Sequence, residues 1–114
     1  MPLIYIHLIF DVLLIGFIFV FDKELRNQFL KNKLVLLWLS LVVFGSNIID
    51  IDHLLANPIY DPNRCGINFH PLHSWYFMPV WVLGMLFRNK YIRYFCLAVL
   101  LHLWLDYMGC IGLL

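Results

Sequence analysis

Nine side chains able to bind a metal ion or move a proton fall into four short stretches of this 114-residue chain. They are His7 and Asp11, then Asp50, Asp52 and His53, then His70 and His73, and last His102 and Asp106. All five histidines of the protein are among them. The densest stretch, NIIDIDHLLANPIYDPNRCGINFHPLHSWY from Asn47 to Tyr76, also holds Asp61 and Arg64. Imidazole and carboxylate together suit zinc, iron or manganese better than copper or calcium. Ligands in this number are enough for two or more ions, with a carboxylate such as Asp50 bridging. Two ions about 3.5–4 Å apart activate a water and clamp the oxygens of a phosphoester.

The spacings put the groups on shared faces. His7 and Asp11 are four apart, as are His102 and Asp106, so each pair shares a helix face. Asp50 and His53 are three apart, and so are His70 and His73, with Pro71 suited to a first helical turn. That sets His70 near an N-cap and His73 inside the first turn. A helix N-terminus disfavours imidazolium and so favours the neutral ring a metal needs. Asp52 points away from Asp50 in a regular helix. It joins the site only where the helix frays, or else it holds a histidine from behind. As the spare carboxylate it is the candidate general acid–base. Arg64, in DPNRCG, is a candidate clamp for a phosphate oxygen. The competing reading of Arg64 is a surface charge facing lipid headgroups.

The elements that position these groups are apolar. The chain is 63% hydrophobic and 13% charged, against roughly 25% charged residues in a soluble domain. This is a membrane composition, read as a single domain over 1–114. Net charge is +1 and the basic residues form no dense tract, which argues against nucleic acid as a partner. Four apolar segments stand out, Pro2–Phe21, Leu34–Leu55, Leu72–Phe87 and Tyr91–Leu105. They predict an all-α polytopic membrane protein, four transmembrane helices in a bundle. The third is short for a core that needs about 20 residues. The first carries Asp11 and lacks a basic leader, so it reads as a retained helix and not a signal peptide.

Charge sets the orientation. Lys23, Arg26, Lys31 and Lys33 lie between the first two segments, and Arg88, Lys90 and Arg93 at the start of the fourth. The remaining connection holds only Arg64. By the positive-inside rule the two basic regions are cytoplasmic, and both termini face outward. His7 and Asp11 then come early in an inward helix, and His102 and Asp106 late in an outward one. All nine groups converge on one outer layer. A lone interfacial histidine is usually a tolerated polar group. An aspartate in hydrocarbon costs at least about 2.5 kcal/mol on insertion scales, so nine groups in one layer point to function. Cys65 and Cys110 fall on the same side and could pair in an oxidising compartment. Cys96 reads as packing, and Tyr60, Trp75, Tyr76 and Tyr107 as an interfacial belt.

Other chemistries fit less well. There is no HExxH, no Gly-rich phosphate loop and no GxSxG. Ser74 beside His73 is no triad, because helix neighbours do not face each other. Five histidines are too few for a membrane desaturase. A metal transporter would carry polar groups through the whole membrane depth.

The stretches DIDH at 50–53, HPLHS at 70–74 and HLWLD at 102–106, with His7 near the start, resemble the YdjM-like family. These are LexA-binding, inner-membrane, metal-dependent hydrolases of bacteria. The run DHLLANPIYDPNRCGINFHPLHSWY is more similar still to a small uncharacterised bacterial membrane-protein family of that kind. The resemblance covers nearly the whole chain. Through a distant similarity to zinc-dependent phospholipase C it implies an all-α fold with a multi-zinc phosphodiesterase site. It supports His7, Asp50, His53, His73, His102 and Asp106 most directly. The chain departs from the family where FHPLHS stands in place of a basic HRGxTHS, which shifts the phosphate contact to Arg64. The expected function is hydrolysis of a phosphoester in a membrane lipid or lipid-linked substrate at the outer face of the bacterial inner membrane, with zinc as the expected ion. The alternatives are a non-catalytic metal-binding or partner-binding membrane subunit, and a hydrolase of amides or esters.

Overall fold

The computed structural model describes residues 3–114 and is helical, with no strand among the described residues. Pro2, where the first expected segment begins, lies outside them. Helix α1 spans Ile4–Phe21, α2 Lys23–Lys31, α3 Leu34–Gly45, α4 Met78–Gly84 and α5 Lys90–Cys110. A 3-10 helix, Ser46–Leu55, continues α3, and a single 3-10 turn covers Pro71–His73. Three of these are long and apolar enough to cross a membrane: Ile4–Phe21, Leu34–Leu55 and Lys90–Cys110, with 18, 22 and 21 residues. The molecule is 47 Å long, close to the about 40–45 Å of a bilayer with its headgroups.

Apolar residues surround α1, so its buried stripe stands out by its polarity. That stripe is His7, Asp11, Leu14 and Ile18, the spacing of one helix face. Leu8, Val12 and Phe17 are exposed, as contact with lipid tails requires. On α3 the buried stripe is Val35, Leu39 and Val43. These pack with Leu14, Ile18, Leu25 and Ala98 into an apolar core. The polar ends of all three long helices project beyond it, on one side.

The region expected as a third span is not one helix. Ser74 is extended (φ −82°, ψ 154°) and ends the 3-10 turn. The chain turns until Phe77, and α4 begins at Met78 with Pro79 in its first turn. Seven residues make α4 about 10 Å long, a third of a hydrocarbon core of about 30 Å. It packs on α5 where Gly84 meets Cys96. A Cβ on Gly84 would meet the Cys96 sulfur, so any larger residue there requires the Cys96 side chain to shift.

The basic connection at 23–33 is itself a helix. Asp22 caps α2 by accepting from the Leu25 amide at 3.0 Å. Arg26 donates to the carbonyls of Phe19 and Val20, satisfying the open end of α1. At the other end of the molecule a disulfide joins Cys65 to Cys110, with Cα atoms 5.1 Å apart. It fastens the loop after the 3-10 helix to the last turn of α5.

Candidate metal centre

The winding of Ser46–Leu55 decides which side chains reach the centre. An α-helix would turn Asp52 about 160° from Asp50; a 3-10 helix turns it about 120°. With three residues per turn, Asn47, Asp50 and His53 form one row and Ser46, Ile49 and Asp52 the next. The second row is buried. Asp52 is thereby brought inward, an outcome the regular helix expected from sequence does not allow.

His73 stands in the middle. Its Nδ1 lies 3.2 Å from Asp52 Oδ2, and the same oxygen accepts from the Leu72 amide at 2.7 Å. Its Nε2 lies 3.3 Å from Asp50 Oδ1 and 3.3 Å from Asp106 Oδ2. His102 Nε2 faces the same two oxygens, at 3.1 and 3.4 Å. Neither His73 Nε2 nor Asp106 Oδ2 has a hydrogen-bond partner, although both are buried. Two imidazole nitrogens and two carboxylate oxygens thus converge. Tetrahedral coordination with bonds of about 2.0–2.2 Å sets neighbouring ligand atoms about 3.3–3.6 Å apart. The observed 3.1–3.4 Å is close to that edge length. This group could hold a metal ion, and so could a second made of Asp52, His53 and His73.

Burial lowers the basicity of His73, which lies outside the three long helices, but its contacts with Asp106 and Asp50 overcome this and lift its pKa to about 10. The centre therefore attracts positive charge strongly. Burial and the neighbouring His53 act the other way on His70 and lower its pKa, which keeps that ring neutral.

The other predicted residues surround these. His53 Nδ1 lies 3.3 Å from Asp52 Oδ1 and 3.6 Å from Asp50 Oδ1. His70 stacks on His53 with ring centres 3.8 Å apart, and its Nε2 is buried without a partner. His7 stacks on His102 at 4.1 Å and sets its Nε2 3.3 Å from Asp106 Oδ1. Asp50 is the open member, its side chain 39% exposed. Asp11 stands farther back. Its Oδ2 accepts from Asn47 Nδ2 at 2.7 Å, and Asn47 Oδ1 lies 2.9 Å from His102 Nδ1.

Asn47 was not among the residues singled out from sequence. The available signal was its spacing of three from Asp50 and six from His53, which matters only in a 3-10 winding. Asp61 is not drawn in; its side chain accepts from the Asn63 amide at 2.9 Å in a turn. Arg64 leans over Phe69, its Cζ 4.7 Å from the ring centre, and donates through Nη2 to the Ile59 carbonyl at 3.1 Å. Its Nε is buried without a partner, and its charge reaches His70.

The chain belongs to DUF6122, a family of unknown function, whose model matches residues 4–113. No curated protein and no solved structure matches it.

Proposed function

We propose that the protein is an integral-membrane, metal-dependent hydrolase of a phosphoester in a lipid headgroup or a lipid-linked phosphate. The observation that carries this reading is the set of two nitrogens and two oxygens, His73, His102, Asp50 and Asp106, whose four N···O distances of 3.1–3.4 Å are close to those between neighbouring ligands of one ion. They would hold one zinc ion. His53 and the unpartnered Oδ1 of Asp52, beside His73, would serve a second, sharing Asp50, with His70 stacked on His53 next to them. Asp11, Asp50, Asp52 and Asp106 together carry four negative charges when ionised, and two divalent cations balance them. Zinc, once bound, supplies a water of lowered pKa and polarises a phosphoryl oxygen.

The chain's own groups do the rest. Exposed Asp50 marks the side from which a headgroup approaches. Asp52 keeps His73 turned with Nε2 inward, as carboxylates behind metal-bound histidines do. The sequence left Asp52 as ligand, acid–base or support for a histidine; its Oδ2 contacts favour support for His73, and its Oδ1 is left for the second ion. Arg64, already fixed by Ile59 and Phe69, has unused donors for the charge that develops on phosphoryl oxygens.

The site end faces outward in this reading. The basic residues of α2 and of the start of α5 lie at the other end, which the positive-inside rule puts in the cytoplasm. The Cys65–Cys110 disulfide agrees, since such bonds persist in oxidising compartments. The short helix α4 packs on α5 and would lie at the membrane surface or part-way into it. The resemblance to YdjM-like hydrolases of the bacterial inner membrane supports the same picture.

The test is elemental analysis of protein purified in detergent without chelators, followed by assay on phospholipids and lipid phosphates. We expect two or more equivalents of zinc and cleavage of at least one phosphoester. A folded, metal-free protein would end the metal reading. A metal-loaded protein that cleaves nothing would leave a metal-binding subunit in its place.

A further inference from the structure

The opposite end of the molecule holds a second feature, independent of the metal centre. A cavity of 480 Å³ lies between the end of α1, the start of α2, Met85 after α4 and the first two turns of α5. Cavities of roughly 300–1,000 Å³ are the size of small-molecule sites.

The charges lining it are unequally committed. Lys90 reaches Asp22 at 3.0 Å and Glu24 at 2.7 Å. Tyr94 donates to the other oxygen of Asp22. Both acids of the cavity are thus engaged with Lys90. Lys23 and Arg93 also line it, and among the described residues neither has an ion-pair partner. Arg93 Nε is buried and makes no hydrogen bond. The rest of the wall is apolar: Phe17 and Phe21 from α1, Leu97 from α5 and Met85.

Polarity in the cavity follows the membrane normal. The cations sit where helices begin or end, and Phe17 and Leu97 lie a turn farther into the hydrocarbon. A phospholipid has that same order, phosphate first and acyl chain second. A zwitterionic headgroup also brings its own ammonium, which two uncommitted cations repel. Basic pockets between transmembrane helices attract anionic lipid in this way.

We propose that this cavity binds one anionic phospholipid of the leaflet at that end, its phosphate between Arg93 and Lys23 and one acyl chain along Phe17 and Leu97. The lipid would wedge α1 against α5 at the end remote from the metal ligands.

Native mass spectrometry of the full chain in detergent tests this, with phosphatidylglycerol and phosphatidylcholine added at equal concentration. Phosphatidylglycerol should be retained preferentially, and added salt should weaken it more than phosphatidylcholine. Arg93→Gln and Lys23→Gln should each lower its apparent affinity about fivefold. Leu97→Trp fills the apolar half and should weaken it with no change of charge. The helical circular dichroism of all three variants should match the wild type, which shows that they fold. Equal retention of the two lipids by the wild type overturns the proposal, even if a variant fails to fold. So does displacement of the lipid by inorganic phosphate with Leu97→Trp silent, which would make the cavity a phosphate pocket only.

Discussion

Asn47 Oδ1 lies 2.9 Å from His102 Nδ1, and this contact settles which nitrogen of His102 faces the carboxylates. Both amide hydrogens of Asn47 are spent, on Asp11 Oδ2 at 2.7 Å and the Phe44 carbonyl at 3.0 Å. A backbone carbonyl only accepts, so the nitrogen of Asn47 must point at Phe44 and Asp11 and its oxygen at His102. With a metal bound, His102 would carry its proton on Nδ1 and turn Nε2 to the ion. Asp11 acts through one intermediate, Asn47, to orient a candidate ligand it does not touch.

Asn47→Leu should therefore weaken zinc binding although Asn47 is no ligand. Loss of a group supporting a metal-bound histidine costs about 10–100-fold in affinity. His102→Ala should cost more, since it removes a donor. Chelator competition on the purified protein measures both. Unaltered affinity in Asn47→Leu would show that the Asp11–Asn47–His102 chain does not orient the ring.

Metal binding should also release protons. The pKa of His73 is held near 10 by Asp106 and Asp50, so without a metal the ring is protonated at pH 7. A coordinating nitrogen must lose that proton. Apparent affinity should then rise with pH up to about 10, tenfold per unit for each proton displaced, and fall as acid is added. Calorimetry in two buffers of different ionisation heat counts the protons. We expect at least one per chain at pH 7; a count of zero would contradict the role of His73 as a ligand.

Much of this centre was legible in the sequence because helical spacing is a strong constraint. His7 with Asp11 and His102 with Asp106 needed only the rule that residues four apart share a face, and the structure buries all four. The Cys65–Cys110 pair needed only the inference that both lie on one side. Asp52 and Asn47 were harder, because their roles depend on three residues per turn, and SNIIDIDHLL reads equally well as an α-helix. The span expected at Leu72–Phe87 was misjudged for a related reason. Hydropathy counts apolar residues but does not register that Ser74 is extended or that Pro79 restarts the helix at Met78. The acid–base pairing of Asp22, Glu24 and Lys90 joins residues more than 60 positions apart, which no local pattern reveals.

Topology can be checked in cells. Asn27→Cys lies on α2, at the end with most of the basic residues. A membrane-impermeant thiol reagent should miss it in intact cells and label it after permeabilisation. Cys65 and Cys110 should react only after reduction, and then from outside, because the disulfide occupies both thiols. Labelling of Asn27→Cys from outside would turn the metal centre toward the cytoplasm.

Arg64 gives the sharpest test of the chemistry. Its guanidinium is held by the Ile59 carbonyl and the Phe69 ring, in the loop that the disulfide ties to α5. A cation cannot ligate a metal, so Arg64→Ala should leave zinc content unchanged. Removing one charged donor from a developing oxyanion typically costs about 10²–10³-fold in rate. The loss should fall on kcat and kcat/KM together, because the contact strengthens only as charge builds on the phosphoryl oxygens. Arg64→Lys keeps the charge but loses the forked geometry, so it should recover only part of the rate. Asp52→Asn should behave differently, lowering zinc content as well as rate, because it frees His73 to turn. If Arg64→Ala hydrolyses the identified phosphoester as fast as the wild type, the clamp is not Arg64. The metal centre would still stand on His73, His102, Asp50 and Asp106.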